Sequence, residues 1–321
     1  MVIGRILGIF CIIFIGFGAN KIGWLPAEAA RYLSRIIINI AAPCMVVSVM
    51  SSQDLTGGKL HEILLLLGIG ALQYTIVILL SFPLARLLRP PKEDRGIFRN
   101  FLTFTNNGFM GLPVGLAIFG GLGMFYMVII NCVVQVFIFT FGIWNVKNGM
   151  KHGGAGTDSA PPHGPKEMLK DMINPAILAL LVGFALLIFQ IKLPGAVTDV
   201  LDSVGAMMAP LSMMVIGIQL TESKLSAVVA DRRLIAMAAI RLIGLGGICF
   251  LLLLPLYMNG VLSSMLIGAL LLNILLPCAT VPVMFAEEYG GNVKLAAEGT
   301  FLTTLFSIIT IPVVGVLLEM L

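Results

Sequence analysis

KIGWLPAEAARYLSRIIINIAAPCMVVSVM, residues 21–50, is answered by QIKLPGAVTDVLDSVGAMMAPLSMMVIGIQL, residues 190–220. In both, a Leu-Pro pair (Leu25-Pro26, Leu193-Pro194) ends one apolar segment, and a second apolar segment follows with an Ala-Pro inside it, at Pro43 and Pro210. The echo continues outward from these stretches. Pro83 and Pro255 each sit late in a third segment, and Gly120-Gly121 and Gly290-Gly291 each close a proline-bearing fourth. Two halves with hydrophobic segments interrupted at matching places are the sequence pattern of a secondary transporter.

Composition places these segments in a bilayer. The chain has 321 residues, 59% hydrophobic and 11% charged, with mean hydropathy +1.04, against roughly 25% charged in a soluble domain. A helix needs about 20 apolar residues to cross a membrane. Ten such segments are read, near 4–20, 30–51, 61–87, 97–119, 122–146, 170–190, 198–220, 232–256, 261–286 and 294–319. They are continuously apolar, which excludes the alternation of a membrane β-barrel. Arg5 followed by an apolar run has the outline of a signal peptide, but no small-x-small cleavage site follows, and the run matches its repeat partner at 170–190. It is therefore read as helix 1. The fold class expected is an all-α membrane protein of ten transmembrane helices in two inverted five-helix repeats, with broken helices 4 and 9 crossing. The repeats span 1–147 and 169–321, joined by a polar Gly- and Pro-rich linker at 148–168. Five is an odd number, so the second repeat enters the membrane inverted.

Ten spans put both termini on one side, which holds only Arg5, Lys59 and Lys192 as basic loop residues; the rest crowd the opposite side, in 86–99, 147–170 and 224–233 above all. The positive-inside rule then places both termini outside and the central loop in the cytoplasm, in a cell (inner) membrane.

The fourth segment carries TFTNNGFMGLP, with Asn106, Asn107, Gly108, Gly111 and Pro113, and the ninth carries LLNILLPCATVPVMF, with Asn273, Pro277, Thr280 and Pro282. Proline removes a backbone donor, and glycine and asparagine tolerate non-helical angles. Such breaks survive in lipid only where they line a protein-walled cavity. Each would expose a half-helix amino end with about half a positive charge, a site for an anion such as a carboxylate. Asn106, Asn107, Gly108, Pro113, Asn273, Pro277, Thr280 and Pro282 are accordingly read as substrate-binding, Asn106 and Asn107 first. Cys44, Ser48, Ser212 and Met213, beside the Ala-Pro bends, are candidate lining.

Arg241 lies about ten residues into its segment, roughly 15 Å deep. An ionisable group there is a functional candidate. Two readings stay open: it pairs with a substrate carboxylate, or it caps carbonyls freed by a break. Arg35, nearer a helix end, is read as snorkelling. Gln73, Tyr74, Asn131, Gln135, Thr303, Thr304 and Ser307 are neutral polar residues able to line a path, and Glu298 is the remaining proton candidate. The three histidines (His61, His152, His163) are read as loop residues. No buried His/Asp/Glu relay, metal site, cofactor motif or catalytic constellation is read, so no enzyme is expected. The five cysteines lack metal or disulfide spacing, and the basic residues flank spans, giving no basis for nucleic-acid binding.

At TNNGFMGLP (105–113), APLSMMVIGIQL (209–220) and PVMFAEEYGGNVKLAAEGTFLTTLFSIITIP (282–312) the chain resembles the auxin efflux carrier family, which includes plant PIN transporters and bacterial dicarboxylate carriers. The resemblance covers all ten segments. It implies helices 1, 2, 6 and 7 as a scaffold and 3–5 with 8–10 as a transport unit, a homodimer through the scaffold, and elevator-like movement of organic anions. It also implies Asn106, Asn107, Pro113, Pro277 and Pro282 as crossover residues, with Gln135 as the polar residue of helix 5. The charged pair that auxin carriers place on helix 3 and the long loop of plant members have no counterpart here, which argues against auxin as substrate. The expectation is a secondary transporter for a small organic anion, a carboxylate or dicarboxylate. The alternatives are a sodium-coupled bile-acid-type symporter of the same architecture and a non-transporting anion sensor.

Overall fold

The computed structural model of the chain describes residues 2–55, 57–146, 175–221, 228, 230–289 and 291–319. The regular elements among these residues are all helices: α1 (Val2–Lys21), α2 (Ala29–Ser51), α3 (Lys59–Leu87), α4 (Arg95–Thr103), α5 (Asn107–Val146), α6 (Pro175–Ile188), α7 (Gly195–Gln219), α8 (Arg232–Met258), α9 (Ser264–Leu275), α10 (Val281–Tyr289) and α11 (Val293–Glu319). In hydrocarbon only a helix satisfies every backbone group within its own segment, so long apolar runs have no other local solution. Among the described residues six helices, α2, α3, α5, α7, α8 and α11, are long and apolar enough to cross a membrane; α1, α6 and α9 are shorter apolar helices. Large apolar side chains face outward all round, among them Phe14, Leu79, Leu251 and Ile309. A water-soluble surface avoids such patches.

Prolines and glycines shape these helices from within. A π-helical turn precedes Pro43 (Ile37–Ala41) and another precedes Pro113 (Asn107–Gly111). Proline lacks an N–H and crowds the carbonyl one turn back, and widening that turn by one residue relieves the crowding. Gly120 has φ +70° inside α5, a conformation that costs a glycine little. It turns the chain back on itself, so that the two parts of α5 pack side by side, Gly115 near Gly123 and Asn107 beside Met127.

Two pairs of helices interlock crosswise. α1 lies along the Met208–Gln219 half of α7, and the Ala42–Ser51 half of α2 lies along α6 and the start of α7. Glycines allow the closest approaches: a methyl at Gly16 or Gly217 would overlap the backbone of Met214 or Ile13, and one at Gly183 would press on Met50 Sδ at 2.8 Å. This is the small-residue packing expected where lipid supplies no hydrophobic drive between helices. The other helices pack in a second group, α3 on α4 and α5, α8 on α9, α9 on α5, and α10 on α11.

In the middle of the molecule the chain leaves the helix twice, at 104–106 between α4 and α5 and at 276–280 between α9 and α10. Phe104 (φ −94°, ψ 131°) and Leu276 (φ −64°, ψ 154°) are extended. The two strands of backbone meet antiparallel at Thr105 and Cys278. Asn106 N–H donates to Pro277 O at 2.9 Å, and Ala279 N–H donates to Phe104 O at 3.0 Å. Backbone groups unpaired in this interior would each cost as much as a lost hydrogen bond, and each break answers part of the other's need.

One sequence reading needs correcting. His61 lies in the first turn of α3 and not in a loop, because the apolar run of that segment is extended by one turn of polar residues at the membrane boundary. His152, His163 and the linker lie outside the described residues.

Candidate functional site

A cavity of about 720 Å³ runs from the amino end of α2 to the first break and the residue before α10. Its lining includes Glu28, Arg31, Ser34 and Arg35 of α2, Gln219 of α7, Asn106, Phe109, Thr280, Glu287, Thr300 and Thr304. The volume suits a small molecule. Asn106 and Thr280 lie where the helices restart. Asn106 caps α5, its Oδ1 accepting from Phe109 N–H at 3.4 Å. Thr280 O accepts from Val283 N–H at 3.0 Å and Met284 N–H at 3.3 Å, the first bonds of α10. Pro282 stands in the first turn of α10, where its missing N–H costs nothing. Two helix amino ends therefore border one cavity, and their partial positive charges favour an anion.

The other sequence-derived candidates fall around this cavity in different ways. Asn107 is buried behind it. Its Nδ2 donates to Met127 O at 3.3 Å across the Gly120 bend, and its Oδ1 has no partner among the described residues. Gly111 makes room for that amide, since a methyl there would overlap Asn107 Oδ1 and come within 2.7 Å of Leu276 Cδ1 and 2.9 Å of Met127 Cε. A methyl at Gly108 would meet nothing within 4 Å. Pro277 acts through its carbonyl, which receives Asn106 N–H. Asn273 lies behind the crossing: its Nδ2 donates to Tyr74 Oη at 3.3 Å, its Oδ1 accepts from Thr105 Oγ1 at 3.2 Å, and those two hydroxyls are 2.8 Å apart. Gln135 and Asn131 are half-buried on α5 and line no cavity described here.

Pro113 lines a second cavity, of about 240 Å³, with Met45, Ser48, Val49, Leu116, Met124 and Asp202. Ser48 Oγ donates to the Asp202 carboxylate there. Met110, between Asn106 and Pro113 in the chain, is fully buried, as is Met213. Cys44 is half-buried, and Ser212 Oγ donates to Ala209 O at 3.0 Å.

Arg241 is fully buried and lines none of these cavities. Its Nη1 donates to Ile274 O at 2.8 Å. That carbonyl lost its helical partner at the break, because Cys278 N–H turns instead to Thr303 Oγ1 at 3.3 Å. Arg241 thus stands at the carboxyl end of α9, where orphan carbonyls gather and the helix dipole is negative. Of the two readings of this residue, the geometry fits the carbonyl cap. Its Nε and Nη2 have no partner among the described residues.

Reading the sequence missed the contribution of α2. Arg31 and Arg35, four residues apart on one face, enter the cavity, and no described carboxylate pairs with either. Their i, i+4 spacing just before the Pro43 bend was the available signal. Glu298 lines a third, polar cavity of about 260 Å³ with Asp94, Asp231, Arg233, Asn292 and Lys294, and Lys294 Nζ lies 3.9 Å from its carboxylate. Burial pushes the Asp94 carboxyl above its ordinary range, Asn292's hydrogen bond pulls it down, and Glu93 adds to the rise.

The chain is similar to known proteins over nearly its whole length. The family model described as "Membrane transport protein" matches residues 1–314. Two archaeal proteins named as uncharacterized transporters are similar over nearly their full length. One, from Methanothermobacter thermautotrophicus, is 24% identical over 98% of this chain and 97% of its own; the other, from Methanocaldococcus jannaschii, is 25% identical over 97% and 96%. A protein of Rhizobium meliloti named "Putative malonate transporter" is 23% identical over 96% of this chain and 93% of its own.

Proposed function

The chain belongs to the membrane transport protein family, that of the auxin efflux carriers, and we propose that it carries a small organic anion, a mono- or dicarboxylate of malonate size, across the membrane by elevator-type alternating access. The observation that carries this reading is the shared cavity at two helix amino ends, with Asn106 and Thr280 at its inner limit and Arg31 and Arg35 along its wall. A carboxylate drawn in past the arginines would accept hydrogen bonds from the polar groups at the restart of α5 and α10. Charge-assisted bonds of this kind are roughly twice as strong as neutral ones. The name of the Rhizobium relative points to the same substrate class.

The proposal includes the architecture. The ten spans are α1, α2, α3, α4 with the first part of α5, the rest of α5, α6, α7, α8, α9 with α10, and α11. They form two inverted repeats, 1–147 and 169–321, with the connection at 148–168. The crosswise packing of α1 on α7 and α2 on α6 supports these four as the scaffold, and as the homodimer contact. The crossing group moves against them, and the cavity lies between the two. Both termini are outside, and the large cavity opens at the end rich in basic residues, toward the cytoplasm.

The test is malonate counterflow in proteoliposomes of the purified protein. Saturable exchange, lost in Asn106→Ala and Thr280→Ala, is the expected result. Binding without counterflow would make the protein a sensor, a strict sodium requirement would make it a symporter, and failure to bind any carboxylate would end the reading.

A further inference from the structure

Three arginines meet at the corner formed by α3, α4 and the end of α5. Arg86 is in the last turn of α3, and Arg95 and Arg99 are one turn apart on α4, with Arg86 and Arg95 close enough to repel the charge of Arg99. Like charges gathered in this way oppose folding unless something of opposite sign visits them. Among the described residues no carboxylate forms an ion pair with any of the three. Glu93 and Asp94 are the nearest acids in the chain; Glu93 is exposed, and Asp94 is engaged with Asn292.

The cluster is held in place. Arg99 Cζ sits 4.8 Å from the Phe82 ring centroid and 5.6 Å from that of Trp144, and its Nε donates to Arg95 O at 3.4 Å. Asn145 Nδ2 donates to Asn100 Oδ1 at 2.7 Å, and Asn100 Nδ2 donates to Gly142 O at 3.1 Å, fixing α4 against the end of α5. Arg95 Nε is buried without a partner among the described residues.

What surrounds the cluster says which partner it fits. Leu72, Leu79 and Arg86 recur every seven residues on α3, so they share one face, and both leucines are largely exposed. This face ends in the arginines beside Trp144, which is 46% exposed. An apolar stripe leading to an indole and then to cations is the profile of a bilayer edge.

We propose that this corner binds an anionic phospholipid, its phosphate held by Arg86, Arg95 and Arg99 and its acyl chains lying along Leu72 and Leu79. Basic pockets between spans on the cytoplasmic side recognise such headgroups, and each basic residue near the surface contributes about fivefold in affinity. The site is distinct from the anion cavity and does not depend on transport.

The experiment is to reconstitute the full chain in nanodiscs of phosphatidylcholine containing a minor share of phosphatidylglycerol, and to quantify the phosphatidylglycerol retained by the purified protein. Wild type should be enriched. Neutralising the cluster by Arg86→Gln, Arg95→Gln and Arg99→Gln together should lower that enrichment by about fivefold per arginine. The control Lys294→Gln, an exposed cation at the same end, should leave it unchanged. Because Arg99 is packed between rings, Arg86→Gln alone serves if the triple variant does not fold, with an expected loss of about fivefold. Equal enrichment in variant and wild type would overturn the proposal. So would thermal stabilisation of the detergent-solubilised protein by inorganic phosphate equal to that given by phosphatidylglycerol, which would make the cluster a site for soluble anions.

Discussion

The two interruptions of the helix ladder meet each other through backbone hydrogen bonds, yet they are built differently. The break at 104–106 carries its own cap: Asn106 caps the helix that follows it and Asn107 ties that helix to Met127 beyond the Gly120 bend, while Thr105 reaches outside to Tyr74 and Asn273. The break at 276–280 is imposed by Pro277 and stabilised from outside. Thr303 of α11 takes Cys278 N–H, Thr300 donates to Ala279 O at 3.3 Å, and Arg241 of α8 takes Ile274 O. Asparagine supplies a donor and an acceptor along with an unusual backbone angle, whereas proline removes a donor and leaves its neighbours to complete the bonding. The first break therefore restarts its helix with a cap of its own, and the second depends on the packing of α8 and α11 around it.

The contrast can be broken at its strongest point with Asn106→Ala. Loss of a hydrogen bond to a charged ligand costs about 1.5–3 kcal/mol, so malonate exchange should fall about 10- to 100-fold. The lost cap should also lower stability by about 0.5–2 kcal/mol. Proteoliposome flux and thermal unfolding read the two effects separately, and unchanged flux would move the ligand away from the first break.

Arg241→Met comes next. It should lower stability by about 1–3 kcal/mol by orphaning Ile274 O, while dicarboxylate and monocarboxylate exchange fall in equal proportion. A selective loss of the dicarboxylate would instead give Arg241 a substrate contact and make the second break a ligand site in its own right. Thr303→Val should cost about 1 kcal/mol, because Cys278 N–H loses its acceptor. If thermal unfolding is unmoved, the second break does not rely on α11.

The smallest effect concerns pH and the amino ends of α4 and α11, which Asp94 and Asn292 link. Burial raises the Asp94 carboxyl, so the folded state favours its protonated form. That contribution to stability is present at acid pH and is lost as pH rises through the raised value. Asp94→Asn should therefore raise the melting temperature slightly at neutral pH and flatten its decline between acid and neutral pH. A steeper decline in the variant would reverse the sign assigned to Asp94.

Much of this was legible in the sequence for plain reasons. Membrane helices are long and apolar, and their interruptions need glycine, proline or asparagine, so hydropathy and a handful of residue types locate both the helices and the places where they stop. The partners of those interruptions were not legible. Asn106 and Asn107 are neighbours and equivalent on paper, but one backbone step turns the first to the cavity and the second to Met127. Arg35 has the position of a snorkelling residue, yet α2 brings it with Arg31 into the cavity wall. Depth alone left Arg241 between substrate and structure, and only the path of Cys278 N–H to Thr303 shows why Ile274 needs a donor.

By itself the sequence determined that this chain is a helical membrane protein with interrupted segments, because the bilayer permits so few ways to bury a backbone. The tertiary structure decided which face of each interruption meets the cavity and which meets protein. That choice is made by hydrogen bonds between residues far apart in the chain, such as Thr105 with Asn273 and Arg241 with Ile274, whose pairing no local pattern encodes.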